Sequence, residues 1–163
     1  TASADGSTAM GLSTTASADG STAMGQVTIA DGPSSTAMGD YTRASGEAST
    51  AMGTNTTARD YGSVVIGQYN SSGSTATSAS SYSASAPAFV IGNGTSSSAK
   101  SDAFKVLFNG NTTVGGTLAI TTDVVAKRYV LTAAPSSAQL DLATGNVLTV
   151  TLSAATTYTD GHK

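Results

Sequence analysis

The hydrophobic and polar positions of residues 1–67 recur with a 14-residue period, and the segment STAMG marks each recurrence. This segment stands at residues 7–11, 21–25, 35–39 and 49–53, and an altered copy, SVVIG, stands at residues 63–67. No insertion or deletion separates the five copies. A fixed short period is typical of a solenoid, in which each repeat forms one turn and neighbouring turns bury a shared core.

A second recurrent segment of each turn reads T-x-A. Its threonines and alanines recur in register, while the residue between them and the residue before them vary freely. Such an alternation predicts a short strand with one inner and one solvent-facing side. The two variable columns, whose members are one period apart, are Ser13, Val27, Tyr41 and Asn55 in one, and Thr15, Ile29, Arg43 and Thr57 in the other.

The STAMG segment differs because both of its alternating phases are fixed. One phase holds Thr and Met, and the other holds Ser and Ala. This pattern predicts a strand that is covered on both faces, so we expect it to form the core of the roll and of an oligomer. The predicted core residues are Met10, Met24, Met38, Met52, Ile66, Ala9, Ala23, Ala37, Ala51 and Val65.

The small side chains of the repeat favour an oligomer. Ala, Ser and Thr release little free energy on burial, whereas every ordered residue costs conformational entropy. A single roll of this composition therefore needs another surface against its doubly fixed strand. A symmetric oligomer with the STAMG strands facing a central axis meets that need.

The motifs S-x-A-x-G and S-V-x-I-G at this spacing resemble the head repeats of trimeric autotransporter adhesins, repeats that also occur in phage tail fibres. SVVIG at 63–67 and AFVIG at 88–92 are most similar to the family form, and Met in place of Ile is an apolar departure from it. The resemblance implies an all-β fold, a left-handed parallel β-roll (a β-solenoid) of 14-residue turns assembled as a homotrimeric fibre. The predicted roll domain spans residues 1–92.

Residues 68–87 interrupt the period. Gly92 stands eleven positions later than the period would place the glycine that follows Gly67. Either one turn carries an insertion of that length, or a long Ser/Ala loop leaves the roll. A surface loop is favoured over a dedicated binding loop, although Tyr69 and Tyr82 keep the second interpretation open because exposed Tyr is a common contact residue.

Residues 93–121 are predicted to form a β-hairpin connector. Phe104, Val106 and Phe108 alternate with other residues, and Asn109-Gly110 predicts a two-residue hairpin turn. A third strand is expected at Leu118. The segment FKV-x-x-NGNTTVGG-x-L resembles one that recurs in phage tail fibres and related trimeric fibres.

The rest of the chain is predicted to hold two small modules. Residues 122–131 are similar to a short linker helix of phage fibres, although their Val pair equally permits a strand. Residues 132–163 show the alternation of a C-terminal β module. We expect this module to be cut short and the chain to be a piece of a longer protein.

Composition argues against an enzyme and against several kinds of binding site. Charged residues make up 10% of the chain, the net charge is -3 and Cys is absent, so we expect no nucleic-acid surface, disulfide or thiolate metal site. No apolar run is long enough for membrane insertion. No acid–base pair or nucleophile is visible, and we expect neither metal nor cofactor. Asp5 and Asp19 stack, but their column continues as Pro33, Glu47 and Tyr61, which favours turn residues over a calcium ladder.

The expected function is that of a structural, receptor-binding fibre segment outside the cell, in a phage tail fibre that attaches the virion to a host surface. One alternative is the head of a trimeric autotransporter adhesin on the bacterial outer surface, and another is a monomeric β-solenoid such as an ice-binding protein. Expected partners are further copies of the chain, a host glycan or protein receptor, and other virion or fibre proteins. The candidate receptor-contact residues are Val27, Ile29, Tyr41, Arg43 and Tyr69.

Overall fold

A computed structural model describes residues 1–119, which form β-strands and turns and contain no helix. Two kinds of strand alternate along residues 1–68, because the STAMG segment gives a five-residue strand and the T-x-A segment a two-residue strand. In chain order these are β1 (Thr8–Leu12), β2 (Thr15–Ala16), β3 (Thr22–Gln26), β4 (Ile29–Ala30), β5 (Thr36–Asp40), β6 (Arg43–Ala44), β7 (Thr50–Thr54), β8 (Thr57–Ala58) and β9 (Val64–Gln68).

Equivalent strands of successive turns stack in parallel and in register. Met24 lies opposite Met10 on one side and Met38 on the other, and Ala30 lies between Ala16 and Ala44 in the same way. The five-residue strands thereby form one sheet, here the long sheet, and the two-residue strands form the short sheet. The predicted parallel β-solenoid with a 14-residue turn is confirmed.

The interior of the roll is filled by small side chains. One alanine from each sheet points inward in every turn, and from Ala16 onward these alanines are fully buried, as is Val65 in the last regular turn. The serines that precede the long strands are also buried, and their hydroxyls bind backbone carbonyls: Ser35 Oγ donates to Ala44 O at 3.1 Å and Ser49 Oγ to Ala58 O at 3.3 Å. The two sheets are thus close enough for a serine hydroxyl to reach across.

The recurrent glycine of STAMG is required by the stacking of turns. Gly25 has a φ of +123°, and a Cβ atom added there would lie 2.0 Å from the carbonyl oxygen of Gly39 in the next turn. The same conflict recurs at Gly39 and Gly53. The clash involves backbone that hydrogen bonds hold in place, so no side chain can be accommodated.

The turn that follows each long strand contains a residue in the left-handed region. These residues, here the left-handed column, are Ser13, Val27, Tyr41, Asn55 and Tyr69, with φ from 42° to 56°.

The prediction that this column lies on the outer side of a strand is wrong. Hydrogen bonds between turns hold its backbone instead: the amide of Val27 donates to Leu12 O at 2.8 Å, and that of Tyr41 to Gln26 O at 2.9 Å. The left-handed conformation costs roughly 1–2 kcal/mol for a residue with a side chain. The backbone hydrogen bonds between turns therefore outweigh the preference of these residues for a negative φ.

The irregular segment after β9 ends where the chain rejoins the long sheet. The next strand, β10 (Pro87–Asn93), pairs in parallel with β9 and places Val90 opposite Val65. The inserted residues stay on the roll, since the buried carboxylate of Asp60 accepts hydrogen bonds from the amides of Thr77 and Ser78.

Two antiparallel strands, β11 (Asp102–Leu107) and β12 (Thr112–Val114), complete the long sheet beyond β10. The hairpin that joins them is where Asn109-Gly110 predicts it. Leu107 N donates to Asn111 O at 2.9 Å and extends the pairing by one residue pair, so the loop consists of residues 108–110, three residues rather than two. Gly110 N donates to Leu107 O at 2.9 Å, and Gly110 has a φ of +85° while Asn109 does not have a positive φ. This is a turn followed by a glycine bulge.

The remaining expectations are only partly covered by the described residues. Leu118 lies in no strand and is exposed. The predicted linker helix at 122–131 and the C-terminal module at 132–163 lie outside the described residues. Among residues 1–119 there is no helix that could span a membrane.

Candidate functional site

The outer face of the long sheet is a regular ladder of Thr and Met. Along each strand the Ala side chain points into the roll, so the Thr and Met on either side of it point outward. Met10 is 57% exposed and Met52 is 40% exposed, whereas the alanines between the two sheets are buried. The predicted core residues therefore occupy two opposite faces: Ala9, Ala23, Ala37, Ala51 and Val65 face the interior, and Met10, Met24, Met38, Met52 and Ile66 face outward.

This Thr/Met face can bind another apolar surface. The stacked Met side chains are about 4.8 Å apart, and Ile66 and Ile91 continue the row. The outward positions of the long strands before the final residue carry no charge. A continuous apolar row of identical rungs is unusual on the surface of a monomer and marks an interaction site.

The five candidate receptor-contact residues fall on two neighbouring columns at one edge of the roll. Val27, Tyr41 and Tyr69 belong to the left-handed column, and Ile29 and Arg43 begin the short strands β4 and β6, where they lie opposite each other. Their exposure differs, because Tyr41 is 55% exposed whereas the other four are half-buried.

Arg43 forms an ion pair with Asp31, a residue that the sequence patterns do not single out. Arg43 Nη2 lies 2.5 Å from Asp31 Oδ2, and Nε lies 3.4 Å from Oδ1. The two side chains remain 43% and 25% exposed, so the pair adds little to stability but fixes the guanidinium. The sequence signal that could have located the ion pair is the spacing of the two opposite charges. They are separated by slightly less than one period, so they lie on adjacent turns.

A second group of aromatic side chains lies where the insertion meets the hairpin. The rings of Tyr82 and Phe108 meet edge to face with their centroids 5.5 Å apart, and those of Phe89 and Phe104 do so at 6.3 Å. Tyr82, which the sequence keeps open as a contact residue, is 63% exposed. Phe108, which directly follows β11 in the hairpin loop, packs against the Tyr82 ring.

Catalytic or metal chemistry has no visible support in the described part of the chain. Residues 1–119 contain no group of three or more His, Cys, Asp or Glu residues that could hold a metal ion. Asp5 and Asp19, the pair that could have suggested a calcium ladder, are both exposed. His162, the single histidine of the chain, lies outside the described residues.

Comparison with protein families agrees with the geometry of the roll. The model of the YadA head domain repeat matches the chain in four overlapping stretches, at residues 2–28, 20–42, 30–56 and 44–70. No match to the chain was found among curated proteins or among solved structures. The YadA head repeat is a structural repeat of the heads of trimeric autotransporter adhesins and not an enzyme family. Residues 2–70 of this chain, which form the stacked turns of the roll, match the YadA head domain repeat.

Proposed function

We propose that the chain is an adhesive segment of a homotrimeric fibre, in which three rolls bring their Thr/Met faces together at a central axis. The observation that carries the proposal is the outward-facing Met ladder, in which Met10 and Met52 are exposed while Met24, Met38 and Ile66 are half-buried. One side of every long strand is sealed by the roll itself, while the other side presents an uncharged apolar row that a single chain leaves in contact with water.

The regularity of this row supports a symmetric partner. The four STAMG rungs carry the same pair of residues, Thr and Met, so one ladder matches another along these rungs without a change of register. Only another rod with the same repeat distance could match it so well. YadA head domains form trimers, and three rolls of this kind around one axis would cover the Met side chains.

The proposed setting is the tail fibre of a phage, where the segment acts outside the cell as part of a virion. Support comes from the segment FKV-x-x-NGNTTVGG-x-L, which resembles phage fibre sequences and forms the hairpin of β11 and β12 at the end of the long sheet. The head of a bacterial autotransporter adhesin, displayed on the outer surface, is the alternative with the same roll.

A monomeric ice-binding solenoid fits less well. Such a surface would need flat, exposed columns of Thr, whereas here Thr alternates with Met on the long sheet and Thr22, Thr36 and Thr50 are half-buried.

Attachment in this proposal is mechanical and multivalent. The stacked turns form a stiff spacer, and the left-handed column and the short sheet carry the variable residues that would contact a host glycan or protein receptor. Three identical edges per fibre would convert weak single contacts into avidity. Other fibre or virion proteins would join the segment at its ends.

The molar mass in solution tests the proposal. We expect the purified chain of 15.9 kDa to run at three times its own mass in multi-angle light scattering. A monomer at micromolar concentration would contradict the trimeric fibre and favour the solenoid alternative. Two results together would favour the autotransporter: a trimer that does not adsorb to bacterial cells, and a membrane anchor encoded in the flanking sequence.

A further inference from the structure

The left-handed column contains side chains that its own backbone disfavours. Glycine and asparagine adopt a positive φ most readily, and a bulky residue there is an outlier. We propose that Tyr41 occupies this column for recognition and that, together with Arg43 and Asp31, it binds a carbohydrate of the host surface. This inference rests on the attachment function proposed above and names the residues and the ligand class of that contact.

A second column of the same roll shows which residues occur where a positive φ is the main requirement. It has a similar φ, from 54° to 64°, and contains only small residues: Gly6, Gly20, Ser34, Ala48 and Gly62. Steric space is not the difference, since a Cβ atom added at Gly20 would lie 3.5 Å from its nearest neighbour, which is ordinary contact. Both columns could be built from small residues, yet only one carries Tyr and Val.

Packing does not offset the strain at Tyr41. The side chain is 55% exposed, and neither of the two aromatic ring pairs among the described residues includes it. Val27 and Tyr69 are half-buried, so burial of apolar surface offsets part of the cost there. The hydrogen bonds between turns hold the strained backbone of Tyr41, but the fold makes little use of its side chain, and such a strained position is typical of a ligand contact.

The surroundings of Tyr41 favour a sugar over a protein. Arg43, two residues further on, is held by Asp31 and uses only part of its five N–H donors in that ion pair. A sugar offers an apolar C–H face for the ring and hydroxyls for such fixed donors and acceptors. Among the described residues, Tyr41 is the one large apolar side chain that is exposed in the left-handed column and in the neighbouring column of Ile29 and Arg43. This leaves little of the apolar area that a protein interface uses.

The test replaces Tyr41 with the residue that the same column holds one turn later. The full chain is compared with Tyr41→Asn on a printed array of bacterial polysaccharides and animal-cell glycans, with thermal unfolding and light scattering in parallel. We expect at least about tenfold weaker glycan binding, since losing an aromatic contact of this kind costs that much or more. The unfolding midpoint should stay the same or rise by about 2–4 °C as strain is relieved, and the molar mass should not change.

Leu118→Asn is the control, because it removes a large side chain of similar exposure, 64% against 55% for Tyr41, from another part of the described chain and should leave glycan binding intact. A lower unfolding midpoint for Tyr41→Asn would show that the ring is structural and would overturn the proposal. Glycan binding equal to that of the unaltered chain would overturn it as well. An unaltered chain that is trimeric but binds no glycan would overturn the carbohydrate assignment alone, whereas a monomeric chain would overturn the fibre function.

Discussion

The side-chain amide of Asn70 binds the backbone of Thr57 in place of another strand. In the preceding turns the amides of Ile29 and Arg43 donate to the main-chain carbonyls of Thr42 and Thr56, each at 2.9 Å. In the last turn the amide of Thr57 donates instead to Asn70 Oδ1 at 2.8 Å, and Asn70 Nδ2 donates to the carbonyl of Thr57 at 2.9 Å. The short sheet therefore ends at a side chain.

Asn70→Asp should destabilise the roll, because it replaces the donor with a carboxylate oxygen that faces the Thr57 carbonyl. Asn70 is buried, so we expect a loss of about 1–3 kcal/mol in the free energy of unfolding, measured by urea denaturation. Asn93→Asp is the control, since Asn93 is exposed and its side chain only accepts a hydrogen bond, from Ser101 Oγ. Equal losses in both variants would contradict the capping role of Asn70.

The insertion and this cap show which parts of the fold the sequence could predict. The period alone gives the turns, the strands and the separation of Ala from Met, because stacking in register leaves only one arrangement for a strict repeat. Asn70 stands one full period after Thr56 and thus in register, but within a Ser-rich run it resembles any turn residue. Its role depends on both ends of its side chain meeting one residue's backbone, which no local pattern encodes.

The left-handed column was not predictable for a related reason. Val27 and Tyr41 are among the residue types that favour strands, and their alternation with fixed small residues resembles a strand. The hydrogen bonds between turns impose the conformation instead. The candidate contact residues could be named from the sequence because their positions vary from turn to turn. Asp31 could be recognised as the partner of Arg43 only from the spacing of adjacent turns in the structure.

Gly25→Ala should be among the most damaging substitutions in the repeat. The added methyl would meet the carbonyl of Gly39 at 2.0 Å, so the turns must separate locally and lose ladder hydrogen bonds. We expect a loss of more than about 3 kcal/mol, well above the effect of an ordinary substitution. Urea denaturation of a soluble preparation would measure it.

Gly20→Ala provides the comparison for Gly25→Ala. Gly20 also has a positive φ, but it has room for a methyl, so only the conformational cost of about 1 kcal/mol remains. If both variants lost the same stability, the close approach of successive turns would not be the reason for the recurrent glycine.

Thr42→Val should stabilise the roll. The hydroxyls of Thr28, Thr42 and Thr56 are buried and have no hydrogen-bond partner among the described residues. Replacing such a group with a methyl of similar shape removes its desolvation penalty, and we expect a gain of about 1 kcal/mol in thermal or urea unfolding. A loss of similar size would show that a bound water satisfies the column.

Ser35→Ala is the matched opposite of Thr42→Val. The hydroxyl of Ser35 is as buried as that of Thr42 but donates a hydrogen bond to Ala44 O. Removing it leaves that carbonyl without this donor. We expect a loss of about 1 kcal/mol. Taken with Thr42→Val, the two signs test whether the inner serines, rather than the inner threonines, hold the two sheets together.

Met38→Asp should abolish the proposed trimer while leaving the roll folded. Met38 lies at the centre of the outward Met ladder, between Met24 and Met52, and its side chain does not contribute to the alanine core. A carboxylate at this position is compatible with a solvent-exposed face but not with an apolar interface. Burying three unpaired charges there would cost far more free energy than the contact between chains provides. Light scattering should show the mass of one chain, while circular dichroism should retain the β signal.

Met38→Leu is the control for that substitution, because it keeps an apolar side chain of similar volume and should preserve the trimer. Gln26→Asp, which introduces the same charge at an exposed position of the neighbouring strand, should also preserve it. A trimer that survives Met38→Asp would place the interface elsewhere, and loss of β structure in that variant would show that the outer face stabilises the single roll. Only a folded monomer from Met38→Asp, with both controls trimeric, agrees with the Thr/Met face as the seam between chains.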